Sequence, residues 1–539
     1  MILRICCLVF LVSVSSPVWA QSKNASIPPD WFLRDPQEDS VQGLSVEKAY
    51  STLLRGQTAR EIIVAVLDTG VDFNHEDLKD VIWINGGEIP DNGIDDDKNG
   101  YVDDVRGWNF IGGKNGNVKD DTDDLTREYI RLNAKFGNVQ KVGKKQNAEY
   151  EEYLKIKGKF QRLKDKNEQE YKYYAAIYQN MKQSIDTLKV LTKADKLTAE
   201  HVKNFETNDP TLLFAKGFLM QLYHNAGEEA DLDDYLKELK EGVDQLGVTV
   251  NYGYNVDFDS RKIVGDDYSN VYEKNYGNND VKGPDPLHGT HVAGIIAANR
   301  TNNLGIKGIS DHVKIMSVRM VPSSGDERDK DIANAIIYAV DNGAKIINMS
   351  FGKRFSPEKI AVDKAVKYAE QKGVLLVHAS GNDGDDSDVE KNFPTRFYLH
   401  GKEAKNWVEV GASSWGVGEN MVADFSNYGK KSVSFFAPGV HIYSTTSENT
   451  YKIESGTSMA SPATAGVAAI LMAYFPELTA AQVKDVLIES ARKFDGLKVK
   501  QPGGKREVEF SDLSLSGGLI NAYEAVKMAQ KIRNQIVIK

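Results

Sequence analysis

The chain has 539 residues, of which 41% are hydrophobic and 27% charged, and its net charge is −10. This composition excludes a disordered or fibrous chain and allows a large core plus a second module. The negative charge and the lack of a basic cluster argue against nucleic acid as a partner.

Residues 1–20 have the pattern of an export signal peptide. Arg4 is followed by an apolar stretch over residues 5–14 and by the small-residue cleavage pattern of residues 18–20. That stretch is too short to cross a bilayer and no longer one follows, so we expect no membrane span. Cys6 and Cys7 both fall inside it, and the mature protein is predicted to lack disulfides. We predict an exported protein, extracellular or periplasmic.

The first predicted core strand follows an N-terminal arm over residues 21–57. Residues 61–67 are a continuous apolar run, which is typical of a strand buried on both faces. Asp68 follows at the carboxyl end of this strand, where open α/β sheets place their ligand sites. A simple strand-terminating turn remains the alternative. Residues 58–119 form the first part of the main domain in this interpretation.

The acidic stretch 95–104 resembles the first part of a calcium-binding loop. Numbered from Asp95, acidic or amide side chains stand at positions 1, 3, 5 and 9, and a glycine stands at position 6. Position 12 is Arg106 where a glutamate is expected, so the full motif fails. Clustered carboxylates nevertheless repel one another without a cation. We therefore predict a structural Ca²⁺, with a solvated acidic turn as the alternative; the expected ligands are Asp95, Asp97, Asn99, Tyr101 and Asp103.

Residues 120–250 change to long, charged, helical sequence. A stripe of apolar and aromatic side chains recurs there every three or four residues, the spacing of a paired helix; it comprises Tyr171, Tyr174, Tyr178, Met181, Ile185 and Leu188. We predict an inserted all-α hairpin or bundle whose stripe is internal packing.

Strands and helices alternate through residues 251–533. Apolar strand patterns occupy residues 314–321, 345–350, 374–379, 407–411 and 433–436, and helical patterns occupy residues 292–298, 331–342, 357–372 and 520–532. This alternation predicts an α/β fold, a parallel sheet with helices on both faces.

Ser458 precedes a run over residues 459–475 that is apolar on every face and is therefore expected to be a buried helix. The free N–H groups and the dipole at the start of that helix stabilise negative charge, although an ordinary helix cap is the alternative. His288 stands at the start of another small-residue helix. A serine hydroxyl becomes a nucleophile when an imidazole takes its proton and a carboxylate orients that imidazole. Asp68, His288 and Ser458 supply these three groups.

Three motifs carry a family resemblance: VLDTGVD at residues 66–72, HGTHVAG at residues 288–294 and GTSMASP at residues 456–462. With them the chain resembles the subtilases, the subtilisin-like serine proteases of peptidase family S8, over about residues 58–110 and 284–530. The resemblance implies an endopeptidase that cleaves protein or peptide substrates through an acyl-enzyme. It makes Asp68 the orienting acid, His288 the general base and Ser458 the nucleophile, and it makes His291 structural.

The resemblance also implies further site residues. Asn382 matches the oxyanion donor, and Ser350, Phe351 and Gly352 match the segment that binds substrate by strand addition. Lys353 stands where the family usually has a second glycine, which leaves the width of the specificity pocket open. A second calcium site is implied, with ligands Asp77, Asn302, Leu304 and Ile306.

Several alternatives stay open at this point. The chain could be a scaffold with a vestigial triad, or an acyl-transfer enzyme that passes the peptide to an amine. The insert could gate the cleft or bind a partner, because it enters between Asp68 and His288. The acidic run 383–390 could favour basic substrate side chains, or it could be a solvated loop or a set of calcium ligands.

Overall fold

The computed structural model describes residues 27–139 and 142–538. The predicted signal peptide and the first residues of the arm lie outside them. The described residues form thirteen α-helices and fifteen strands. None of these helices is both long enough and apolar enough to span a bilayer.

The strands are β1 Ile62–Asp68, β2 Gly107–Asn109, β3 Gly112–Gly113, β4 Gly116–Asn117, β5 Val313–Arg319, β6 Ile346–Met349, β7 Leu375–Ala379, β8 Trp407–Ser413, β9 Phe435–Pro438, β10 Ile442–Thr446, β11 Thr450–Glu454, β12 Arg492–Lys493, β13 Lys498–Lys500, β14 Glu507–Glu509 and β15 Gly518–Leu519. The helices are α1 Val46–Lys48, α2 Asp124–Phe136, α3 Asn147–Thr192, α4 Ala199–Asn204, α5 Pro210–Ala226, α6 Leu232–Val248, α7 Arg261–Val264, α8 Leu287–Ala297, α9 Asp329–Asp341, α10 Lys359–Gln371, α11 Thr457–Tyr474, α12 Ala480–Glu489 and α13 Ala522–Ile538.

One large sheet organises the main domain. Its strand order is β12-β15-β9-β8-β7-β6-β1-β5-β2. Neighbouring strands are parallel except for β12 and β15, which pair antiparallel. β1 lies between β5 and β6, with Asp68 opposite Arg319 on β5. The first predicted strand is therefore a central one, as its apolar run indicates.

Helices cover both faces of this sheet. Val64 and Val66 of β1 face a core that includes residues of α8, α11, α12 and α13. Ala65 and Leu67 face the opposite core, formed with α9 and α10. Alternate side chains of a strand point to opposite faces, so a strand buried on both sides must be apolar throughout. The predicted α/β fold is confirmed.

Every residue of α11 is buried except Ser458. This agrees with the apolar pattern of residues 459–475. Pro462 is the sixth residue of the helix, and its missing N–H leaves the carbonyl oxygen of Ser458 free to accept the Ser350 hydroxyl at 2.9 Å. Ser458 is thus an accessible serine in the first turn of an otherwise buried helix.

Several elements had no counterpart in the sequence prediction, namely α12, the β10–β11 hairpin and the short strands β2–β4 and β12–β15. α12 begins with a capping box formed by Thr479 and Gln482, a signal that the residue pattern contained. The hairpin of β10 and β11 has a largely polar, exposed second strand. Such a strand lacks the apolar alternation on which strand prediction depends.

The N-terminal segment is packed into the main domain. Trp31, Phe32 and Leu33 are buried in the same core as α8 and α11. The indole Nε1 of Trp31 donates to the carbonyl of His441 at 3.2 Å. The segment from residue 31 onwards therefore contributes to the core of the main domain.

The insert is a long helical hairpin, as predicted. α3 has 46 residues and is about 69 Å long at 1.5 Å per residue. α6 returns alongside it, and Lys189 of α3 forms an ion pair with Asp233 of α6 at 2.7 Å.

The hydrophobic contacts of the insert fall into two separate clusters. The basal cluster comprises Leu125, Leu132, Phe136, Tyr153, Ile156, Phe160 and Tyr254. The distal cluster comprises Met181, Ile185, Leu188, Leu197, Ala199, Val202, Ala215, Leu219, Tyr223 and Leu232. The predicted stripe is buried in its second half, whereas Tyr171, Tyr174 and Tyr178 are half-buried.

Candidate active site

The predicted site residues lie at the carboxyl ends of adjacent parallel strands. Asp68 is the last residue of β1, Met349 ends β6 and Ala379 ends β7. β6 lies between β1 and β7. Because the strands are parallel, these ends meet at one edge of the sheet, where open α/β sheets bind their ligands.

Asp68 and His288 form a hydrogen-bonded pair. The Nδ1 atom of His288, at the start of α8, lies 2.7 Å from Oδ1 of Asp68. The same oxygen accepts the Thr69 N–H at 2.8 Å, and Asp68 is 1% exposed. Burial by itself would lower the pKa of His288, but the charge of Asp68 and its hydrogen bond raise the pKa above its ordinary value. Asp68 therefore holds the His288 imidazole in one orientation and raises its affinity for a proton.

His291, in the same motif, has a different environment. It is fully buried, and its Nε2 lies 3.1 Å from the carbonyl oxygen of Ile442 and 3.2 Å from that of Lys452. Burial, reinforced by the charge of His288, lowers the pKa of His291 to about 4. A neutral imidazole that ties α8 to the β10–β11 hairpin fits the structural role that the resemblance implies.

Ser458 lies in the first turn of α11 and contacts Ser350, the residue that follows β6. Its Oγ donates to the carbonyl oxygen of Ser350 at 3.3 Å, and Oγ of Ser350 donates to the carbonyl oxygen of Ser458 at 2.9 Å. Among the described residues, no hydrogen bond joins Ser458 to His288 in this conformation. Proton transfer therefore requires the Ser458 side chain to turn toward the imidazole, and such bonds are often loose before substrate binds.

A chain of polar side chains holds the first turn of α11 against β6. Asn348 of β6 donates from Nδ2 to Oγ of Ser350 at 3.0 Å. Its Oδ1 accepts the hydroxyl of Ser461 at 2.8 Å. Because Asn348 is fully buried, both contacts are needed to satisfy it. They fix the position of Ser458 relative to the strand end.

The side chain of Asn382 lies beside the start of α11. Its Oδ1 accepts both the N–H and the hydroxyl of Thr457 at 2.9 Å, so its Nδ2 donors remain for another partner. A Cβ built on Gly456 would lie 3.5 Å from Nδ2 of Asn382 and 3.6 Å from the backbone nitrogen of Ser458. The two donors thus border one small volume, the arrangement that an oxyanion requires.

The substrate segment Ser350, Phe351 and Gly352 follows β6. Ser350 and Phe351 are buried, and Gly352 lies so close to the Asn392 side chain that a Cβ would meet its Oδ1 at 2.3 Å. Lys353 is also buried, and its ammonium pairs with Asp329 at 2.6 Å. The lysine at the position of the family's second glycine is thus held by an ion pair.

The negative charge of the acidic run that follows Asn382 is partly neutralised by ion pairs within the chain. The guanidinium of Arg354 forms ion pairs with Asp383 and Asp385. Asp388 accepts the backbone N–H groups of Lys431 and Ser432. These carboxylates are therefore engaged in structural contacts, which weakens the expectation that the run selects basic substrate side chains.

The first predicted calcium loop brings together three carboxylates. Oxygen atoms of Glu88, Asp95 and Asp97 lie within 4.8 Å of one another. Glu88 comes from outside the motif, and it also accepts the N–H groups of Asp97 and Asp103. An all-oxygen set of this kind suits Ca²⁺.

The side chains of Asp103 and Asn99, two other predicted ligands of this loop, make hydrogen bonds of their own. Asp103 accepts the N–H groups of Asn92 and Gly93. Asn99 donates from Nδ2 to Asp97 and Asp104. Tyr101 buries its ring against Trp108, but its predicted ligand atom is the backbone carbonyl oxygen, which the ring does not occupy. The loop thus has the acidic groups of the motif without its flanking helices.

The second predicted calcium site has donors around its carboxylate. Asp77 accepts the Asn302 amide at 2.7 Å, the Ile306 N–H at 3.3 Å and the Tyr451 hydroxyl at 3.4 Å. Leu304 is exposed, and its N–H donates to Oδ1 of Asn302. Hydrogen bonds thus link all four predicted ligand residues, but Asn302 would have to turn its amide to offer oxygen to a cation. Calcium at Asp77 stays a prediction.

Some site residues were missed in the sequence. Glu88 lies seven positions before Asp95, and Arg354 neighbours the acidic run only in space. Asn427 also stabilises the loop after Asn382, because its Oδ1 accepts the N–H groups of Asp383 and Asp385. Only Glu88 had a local signal, since it belongs to the same acidic region of the chain.

The chain is similar in sequence to a known family of proteins. A model of the subtilase family matches residues 59–508. The thermophilic serine proteinase of Bacillus sp. (strain AK1) is 41% identical over 216 residues, which are 40% of this chain and 48% of that protein. Thermitase of Thermoactinomyces vulgaris is 34% identical over 240 residues, 44% of this chain and 75% of that protein. The crystal structure of a cold adapted subtilisin-like serine proteinase is 30% identical, with a TM-score of 0.35, and the match covers 44% of this chain and 77% of that one. The match to the thermophilic relative thus spans about half of that protein's length.

Proposed function

The chain belongs to the subtilase family, and from this premise we propose that it is a serine endopeptidase that hydrolyses protein or peptide substrates. The observation that carries the proposal is the 2.7 Å hydrogen bond between buried Asp68 and His288. This bond orients His288 as a base at the sheet edge, close to the first turn of α11, which contains Ser458. The order Asp, His, Ser along the chain is that of the subtilisin type.

The mechanism assigns one role to each side chain. A peptide pairs with residues 350–352, and Ser458 turns from the Ser350 carbonyl toward His288. His288 takes the proton as Oγ attacks the scissile carbonyl, and Asp68 stabilises the imidazolium. The Asn382 amide and the Ser458 N–H hold the tetrahedral oxygen. His288 then protonates the leaving amine, and water hydrolyses the acyl-enzyme by the same steps in reverse.

Substitution of the nucleophile tests this proposal. Ser458→Ala should abolish hydrolysis of casein and of a chromogenic peptide, and it should abolish labelling by a fluorophosphonate. Ser455→Ala is the matched control, because this exposed serine lies three residues earlier and only accepts the His441 N–H. Hydrolysis that survives in Ser458→Ala, with labelling unchanged, would contradict the assignment.

Two accompanying features belong to the same proposal. A Ca²⁺ held near Glu88, Asp95 and Asp97 would stabilise the loop before β2, which the convergence of three carboxylates supports. Export is supported by the signal-like pattern of residues 1–20. Both agree with a protease that works outside the cytoplasm without disulfides.

A further inference from the structure

A groove separates the insert from the loop that follows the oxyanion residue. Its volume is about 580 Å³. Lys155 and Lys159 of α3 line one wall, and Arg354, Asp385 and Phe393 line the other. We call this space the insert groove.

The insert groove begins where the substrate segment ends. Ser350 contacts Ser458, so the scissile bond lies at the Ser350 end of the segment. The backbone N–H and carbonyl of Lys353 already pair with Phe393, at 3.0 and 2.7 Å. These bonds occupy the edge opposite to that of Ser350 and Gly352, because alternate residues of an extended strand direct their backbone groups to opposite edges. The next residue on the edge of Ser350 is Arg354, whose N–H donates to Asp124. A peptide added along residues 350–352 must therefore leave the strand before Arg354, which lines the groove.

The length of this path sets which substrate residues reach the groove. An extended chain advances about 3.3 Å per residue. The path from Ser350 to Arg354 therefore corresponds to about four substrate residues. Short peptides end before the groove, and longer ones enter it.

The insert makes direct hydrogen bonds to the wall of the groove that contains Arg354. Asp124, at the start of α2, accepts the backbone N–H groups of Arg354 and Phe355 at 2.6 and 2.7 Å. Arg354 in turn holds Asp383 and Asp385, directly after Asn382. The base of the insert, the substrate segment and the oxyanion loop are thus joined through one residue.

The free charges of the groove are mainly positive on the side of α3. Lys155 and Lys159 are one turn apart and exposed. Lys155 has only a 3.9 Å contact with Glu152, and Lys159 has no ion pair among the described residues. On the opposite wall Asp385 is paired with Arg354, which also pairs with Asp383, and Glu390 and Lys391 add one charge of each sign. The Nη1 atom of Arg354 is buried without a hydrogen-bond partner in the described part of the chain.

We propose that the insert groove is a substrate subsite that takes an acidic side chain about four or more residues from the scissile bond. Lys155 and Lys159 are its specificity-determining residues, and the insert builds the subsite. This inference rests on the proposed endopeptidase function.

Charge reversal on α3 tests the subsite. Quenched fluorescent peptides of twelve residues, with Glu or Lys placed four to six residues from the bond on either side, are compared by kcat/KM. The full-length enzyme should prefer Glu over Lys about fivefold on one side of the bond, as expected for two exposed charge contacts. Lys155→Glu/Lys159→Glu should reverse the preference, and higher salt should weaken it in the unmodified enzyme. Lys166→Glu/Lys172→Glu, with the same charge change on the same helix outside the groove, should keep it.

The outcomes separate the two claims. Hydrolysis without any Glu preference, or with a preference that Lys155→Glu/Lys159→Glu leaves intact, overturns the subsite while the endopeptidase function stands. A chain that neither hydrolyses a short peptide nor reacts with a fluorophosphonate overturns both. A preference lost equally in the Lys166→Glu/Lys172→Glu control shows a general charge effect and also overturns the subsite.

Discussion

At the scale of single residues, the pKa of His288, the proposed catalytic base, depends on a balance between two opposing effects. Burial of His288 disfavours its charged form, and the adjacent Asp68 carboxylate favours it. The carboxylate prevails, so the pKa of His288 is raised. A general base works only when unprotonated, and activity should therefore fall as the pH drops through this raised pKa.

Replacement of Asp68 by asparagine removes the negative charge that raises the pKa of His288. In Asp68→Asn, burial remains and is opposed only by the weaker influence of Glu454 and Asp285, so the pKa of His288 should fall and the acidic limb of the kcat/KM profile should move to lower pH. The loss of orientation should also lower kcat by about 10⁴. Both effects are measured in one pH series of initial rates.

Asp285→Asn is the matched control for this variant. Asp285 also raises the pKa of His288, but as the last of the contributing charges. Its replacement should shift the acidic limb slightly in the same direction and keep most of kcat. An unshifted limb in Asp68→Asn would contradict the pairing of Asp68 with His288.

At the scale of elements, the loop before β2 concentrates more negative charge than it can neutralise. Glu88, Asp95 and Asp97 converge within 4.8 Å, and no ion pair to a lysine or arginine involves any of the three among the described residues. Like charges this close repel. A bound cation would remove that repulsion and stabilise the folded state by mass action.

Calcium removal should therefore lower the melting temperature. At a calcium concentration about 100 times Kd, binding contributes about 2.7 kcal/mol, and a chelator should abolish this contribution. Asp95→Asn/Asp97→Asn keeps the side-chain shapes and should melt at the same temperature with and without chelator. Asp77→Asn, at the other predicted site, should retain the response. A chelator effect that persists in the loop variant and vanishes in Asp77→Asn would place the ion at Asp77 instead.

At the scale of the whole molecule, the insert has two parts that are stabilised separately. The basal cluster packs near the main domain through Tyr254 and the half-buried Phe355, whereas the distal cluster contains only insert residues. α3 connects the two. Removal of the distal cluster should therefore leave the basal one intact.

A shortened chain tests this division. Replacing residues 176–242 with a short Gly-Ser loop joins α3 to α6 below the distal cluster. We expect a folded enzyme whose kcat/KM on short peptides stays within about twofold, because the site and the basal cluster are untouched. Removing residues 125–245 should instead destabilise the protein, because it also deletes most of the basal cluster. Loss of the cooperative melting transition in the shortened chain would show that the distal cluster supports the main domain.

The sequence by itself determined six strands of the large sheet (β1 and β5–β9), the buried helix α11 and the three motifs of the site. These features are local: an apolar run such as residues 61–67 has few alternatives to a doubly buried strand, and α11 is apolar on every face. The insert was also visible, because its composition and helical spacing differ from the flanking sequence. Asp68, His288, Asn382 and Ser458 could be named from their motifs alone.

Only the tertiary structure decided which polar groups pair across the fold. Arg354 binds Asp383 and Asp385 across about thirty positions, Ser458 contacts Ser350 across 108, and Glu88 joins the acidic loop from outside its motif. Periodicity reports which face of an element is buried, but a hydrogen bond or an ion pair depends on the distance between two elements, and the packing of the whole chain sets that distance. The motifs therefore identified the chemistry, and the packing determined how the insert meets the cleft.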